Sequence, residues 1–109
     1  MKQGQIVIIH FPFTNFTESK LRPALVISNK KFNAFANVII LAISTKEGKK
    51  KYSLELAQSD MQEGKLLKKS YIRFSNILSI EKKLIIKKVG LLKNEKLKKV
   101  KEKVISFIC

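Results

Sequence analysis

Two arginines and a few hydroxyls are the side chains here whose types and spacing suit chemistry. Arg22 stands directly before Pro23, which opens the apolar run PALVIS. Proline fixes its own φ and pushes the preceding residue into extended backbone, so Arg22 is held at a strand mouth. That position suits a phosphate-gripping guanidinium, and it equally suits a plain surface arginine. Ser44 and Thr45 close a second apolar run, NVIILAIS. Arg73 alternates with Ile72 and Phe74 and so faces away from whatever core they enter. Such a set can cut RNA. The ribose 2′-OH is a built-in nucleophile beside the scissile phosphate, so the protein need only orient the backbone and stabilise the developing charge. An arginine fork matches phosphate oxygens, and a nearby hydroxyl adds a donor.

Other chemistries lack their residues. His10 is the only histidine, so no two-histidine acid–base pair exists. The eight carboxylates are scattered singly, without the DxD or ExxE pairing that would hold Mg²⁺, so no metal and no cofactor is expected. Neither a phosphate-binding GxxxxGK[ST] nor a GxSxG or HExxH motif occurs. Cys109 is the one cysteine and the last residue, a poor place for a nucleophile and no partner for an internal disulfide.

The chain carries 23 Lys+Arg against 8 Asp+Glu, a formal net charge of +15. Residues 1–45 hold five bases and one acid; residues 46–109 hold the other eighteen and seven. A field of that size draws polyanions and points to a nucleic-acid partner, although a lysine-rich surface alone would look the same. No apolar run is long enough to span a membrane, and the N-terminus lacks a small-residue cleavage site. A cytoplasmic protein with no membrane partner is the expectation.

The elements that must position these residues are mostly strands. QIVIIHF (5–11), PALVIS (23–28) and NVIILAIS (37–44) are nearly continuous apolar runs, as in strands covered on both faces. YSLEL (52–56) and SYIRF (70–74) alternate, and a last strand falls within 84–92. Residues 12–22 read as a polar loop carrying Phe13 and Phe16, residues 45–51 as a basic turn around Gly48, and 57–69 as a loop turning at Gly64. From Asn94, a cap, the period changes to helical over 95–108. Leu97, Val100, Val104 and Phe107 or Ile108 form the apolar stripe, opposite a lysine face at 96, 98, 99, 101 and 103. One mainly β domain over 1–109 follows: five or six short strands in a small twisted barrel, with the C-terminal α-helix packed against it. The apolar strand residues look more numerous than one small core needs, which suggests a dimer.

In order along the chain, GQIVIIHFPFTNFTESKLRPALVISN, NVIILAIST, LLKKSYIRF and KKVGLL resemble the MazF/PemK family of toxin ribonucleases. The combination of Arg-Pro opening an apolar strand with a later strand ending in I-[ST] is its most specific part. The resemblance implies an SH3-like barrel of the CcdB/MazF type with five to seven strands. It also implies a homodimer and sequence-specific, metal-independent cleavage of single-stranded RNA to a 2′,3′-cyclic phosphate and a 5′-OH. An acidic antitoxin would be the partner. Arg22 matches the family's catalytic arginine and Ser44 its catalytic hydroxyl, with Thr45 one residue away; Arg73 matches a basic residue on the substrate. Around them Thr45, Arg73, Lys20, Thr14, Phe13 and His10 form the expected RNA-binding set, with Phe13 and Phe16 as possible base-stacking rings. Where many members carry an acid after the Arg73 position this chain has Ser75, and Lys69 replaces a proline, so the general base is open between Glu18, His10 and none. A non-catalytic gyrase inhibitor resembling CcdB, acting through the apolar end KVISFIC, is one rival; an RNA-binding relative that has lost its chemistry is another.

Overall fold

The structure, a computed structural model, describes residues 1–10 and 21–108. Its strands are β1 (Gln5–His10), β2 (Leu21–Val26), β3 (Asn37–Ser44), β4 (Ser53–Leu56), β5 (Met61–Glu63), β6 (Ser70–Glu81) and β7 (Ile85–Leu92). A one-turn helix α1 (Lys30–Asn33) precedes β3, and α2 (Asn94–Ile108) ends the chain. All strand pairs are antiparallel, in one sheet ordered β4-β6-β3-β2-β1-β7-β5.

That order dictates the curvature. β6 and β7 lie four strand spacings apart, ~19 Å if the sheet were flat. Only the short turn Lys82–Leu84 joins them, and four residue steps reach ~14 Å at most. The sheet must therefore curl on itself, and the strands gain an inside and an outside. Val7, Ile9, Ala24, Val26, Val38, Ile40 and Ile80 fill one cluster. Their sequence neighbours Ile6, Leu25 and Leu41 enter a second, with Ile43, Leu56, Met61, Ile72, Phe74, Leu92 and, from α2, Val100 and Val104. Continuous apolarity in β1–β3 thus reflects strands buried on both faces. Residues that look surplus to one core divide between two within the same chain.

The helix follows its stripe: Leu97, Val100 and Val104 are buried. Of the two candidates for its last turn, Phe107 packs, with its ring 5.9 Å from those of Tyr52 and Phe74, while Ile108 is exposed. The helix begins at Asn94, one residue early, because the Lys93 carbonyl accepts the N–H groups of Lys96 and Leu97. Lys96 departs from the solvated lysine face: its ammonium lies 3.2 Å from Asp60 and its side chain is mostly buried.

Three differences from the sequence reading have local causes. β6 runs on to Glu81 rather than ending at Phe74, because the polar pair Ser75–Asn76 sits in a bulge and imitates a strand end. β5 is three residues with only Met61 buried, too short to show a period. α1 is a single turn, capped by Asn29, whose side chain accepts the Phe32 N–H at 3.0 Å. Among the described residues no helix is long and apolar enough to cross a membrane.

Candidate active site

Strand register decides which side chains meet. β2 and β3 pair Ala24 with Ala42, Leu25 with Leu41 and Val26 with Ile40. Carried two residues further, the same register sets Arg22 opposite Ser44. On the other side of β3, Ala42 pairs with Arg73 and Ser44 with Tyr71. Partners across an antiparallel pair share a face, so Arg22, Ala24, Ala42, Ser44 and Arg73 lie on one face. Ala24 is in the core; beyond it the face opens into a groove of about 360 Å³ lined by Arg22, Ser44 and Arg73 together with Thr45, Lys46 and Asn76.

Pro23 explains why the groove opens there. β2 is an inner strand, and a proline has no N–H to give a ladder. Pro23 pairs with Ile8 of β1, but the ladder to β3 begins only at Ala24. Past that point the two strand ends are not tied together, and the gap between them is the groove. The residue that extends Arg22 also ends the pairing that would have covered it.

The groove is cationic. Arg22, Lys46 and Arg73 line it, and no carboxylate among the described residues does. Ser44 Oγ accepts the Lys46 N–H at 3.1 Å, which uses a lone pair, and its hydroxyl proton has no acceptor among the described residues. Arg73 is tied back: its Nη2 donates to the Lys46 carbonyl at 2.9 Å. Gly48, at φ +70°, lies so close that a Cβ there would sit 3.2 Å from Arg73 Cζ. A side chain would be both strained and crowded at that turn. Arg73 Nε is buried without a partner among the described residues. The guanidinium of Arg22 is exposed and makes no hydrogen bond or ion pair among the described residues. One arginine is tied to the Lys46 carbonyl; the other has no partner among the described residues.

His10 is not brought to this groove. It pairs with Leu21 while Ile9 pairs with Arg22, so strand alternation turns His10 to the opposite face. Its Nδ1 is buried without a partner among the described residues. A proton-transfer role beside Arg22 is therefore not supported for His10. Ser75 is exposed and does not line the groove. Thr45 is exposed and lines the groove. Lys20, Thr14 and Phe13, with Phe16, Glu18 and Cys109, lie outside the described residues. Two lining residues escaped the sequence reading. Lys46 was only part of a basic turn. Asn76 had a signal, since asparagine is unfavourable inside a strand and marks a bulge.

A second, apolar groove of about 550 Å³ lies across the same strand ends, lined by Ile6, Ile8, Leu21, Leu56, Met61, Leu66 and Val89 with Lys65, Lys68 and Lys87. It shares Pro23, Ile43 and Thr45 with the cationic groove. Among the described residues no three His, Cys, Asp or Glu converge as a metal site.

The family described as PemK-like, MazF-like toxin of type II toxin–antitoxin system matches residues 2–108. Among solved structures, an endoribonuclease in complex with its cognate antitoxin from a mycobacterial species superposes with a TM-score of 0.80 at 16% identity, covering 99% of this chain and 94% of that one. The MazE–MazF complex of Deinococcus radiodurans gives a TM-score of 0.80 at 16% identity over 99% and 95% of the two chains. The Mycobacterium tuberculosis toxin MazF-mt6 gives 0.73 at 18% identity over 94% and 93%. At such identities these likenesses carry the fold. No curated protein sequence matches the chain.

Proposed function

The chain belongs to the PemK-like, MazF-like toxins of type II toxin–antitoxin systems, and on that premise we propose that it is an endoribonuclease that cuts single-stranded mRNA at chosen sequences without a metal ion. The observation that carries this reading is the groove that Arg22 and Ser44 share. The Arg22 fork grips two oxygens of the scissile phosphate, and Ser44 donates its hydroxyl proton to the same group. The ribose 2′-oxygen attacks phosphorus, the P–O5′ bond breaks, and the products are a 2′,3′-cyclic phosphate and a 5′-OH. The 2′ proton passes to solvent water and the leaving 5′-oxygen takes one from solvent, so the net step neither gains nor loses a proton. Three cationic side chains in the groove repel a divalent cation and already supply the positive charge that a metal would bring.

The +15 charge suits both an RNA strand and an acidic antitoxin, and the family resemblance adds a homodimer. The apolar face beside the groove, with Leu21 and Leu67 exposed, supports further protein contact. Incubation with mixed single-stranded RNA in EDTA tests the reading. Discrete fragments ending in cyclic phosphate are expected; intact RNA across varied sequences would remove it. A second reading, a non-catalytic inhibitor acting through α2, is favoured only by the exposure of Ile105 and Ile108. Under that reading, toxicity survives Arg22→Ala and is lost in an Ile105→Ser, Ile108→Ser double variant.

A further inference from the structure

We propose that Asn76 is a specificity-determining residue that reads the edge of one RNA base beside the cleaved phosphate; the inference rests on the groove being the RNA site. The other polar side chains of the groove are less suited to this work. Arg22 is taken up by the phosphate, Arg73 is tied to the Lys46 carbonyl at 2.9 Å, and the Lys46 ammonium is a flexible point charge drawn to the phosphate that every nucleotide carries. The hydroxyls of Ser44 and Thr45 rotate and accept or donate as their neighbour requires. A carboxamide is different: it holds one acceptor and one donor side by side at fixed spacing, the pattern that pairs bidentately with a base edge. Asn76 is the one carboxamide lining this groove among the described residues.

Its presentation is built into β6. Ala42 of β3 pairs with Arg73, but its neighbour Leu41 pairs with Ile77, so residues 74–76 have no partner on β3. Phe74 pins one side of this bulge: it is 3% exposed and its ring lies 6.1 Å from Tyr52. Pairing of Ile77 with Leu41 pins the other. The residues between are pushed outward, and Asn76 is exposed at the groove with no side-chain hydrogen bond among the described residues. Bulges next to active sites commonly re-aim a side chain in this way. The Asn76 backbone is held between two anchored residues, and its side-chain amide, without a partner among the described residues, stands at the groove that Arg22 also lines.

The test is cleavage of a randomised single-stranded RNA pool in EDTA by wild type, Asn76→Ala and Asn76→Asp, with the cut ends sequenced. Asn76→Ala flattens the base preference at one position of the motif by ~5- to 150-fold, the discrimination of one bidentate contact. It leaves the other positions and the salt dependence of binding as they were. Asn76→Asp keeps the acceptor and loses the donor, so the preference at that same position changes identity. An unchanged motif in both variants, with Arg22-dependent cleavage intact, overturns the inference alone. Absence of cleavage by the wild type overturns the RNA reading and this inference with it.

Discussion

The two grooves at the ends of β2 and β3 draw on the same short segments. Arg22, Ala42 and Ser44 line only the cationic one and Leu21 only the apolar one, while Pro23, Ile43 and Thr45 border both. One is cationic and hydroxylic, the other apolar with a lysine rim. A period of two therefore gives a small domain a cationic face and an apolar face divided by the strand backbone. A shift of β2 by one residue would exchange them, so the Pro23 position sets both.

The largest effects are expected on the cationic side. Replacing Arg22 with alanine is expected to slow single-turnover RNA cleavage by on the order of 10²- to 10³-fold, the cost of a lost transition-state donor. Near-normal cleavage by that variant would relocate the chemistry. Ser44→Ala should cost ~10- to 10²-fold, the value of a hydrogen bond to a charged group, while Ser44→Thr retains most of the rate. Arg73→Lys gives a smaller loss, about fivefold in kcat with little change in KM, because its bond to the Lys46 carbonyl positions the turn that carries Thr45 and abuts Ser44. If KM rises instead and the salt slope of binding falls, Arg73 grips RNA directly. On the apolar side, Leu21→Ser should alter the chemical step by less than about twofold. Equal damage from Leu21→Ser and Ser44→Ala in that step would erase the distinction between the faces.

Much of this arrangement is legible in the chain itself. The runs of β1–β3 announced two-sided burial, and Leu97, Val100 and Val104 announced the helix face. Arg22 and Ser44 were legible because Arg-Pro and the strand-ending I-S-T are local patterns. What stayed hidden depends on pairing between distant segments. Nothing local shows that Ile9 rather than His10 shares a face with Arg22; that is set by the β1–β2 register. Asn76 reaches the groove through a bulge whose extra residues are counted only against β3. The pair Lys96–Asp60 joins a helix start to a turn before β5 and has no signature at either site.

If Arg22 and Ser44 act on one phosphate as a unit, their losses are coupled, and a double-mutant cycle measures that coupling. Single-turnover cleavage rates of one RNA would be compared for wild type, Arg22→Ala, Ser44→Ala and the double variant. Groups that serve one transition state are not additive, so the double variant should be slower than the worse single variant by far less than the other single loss. Losses that multiply in full, or a single variant that cleaves like wild type, would contradict the account.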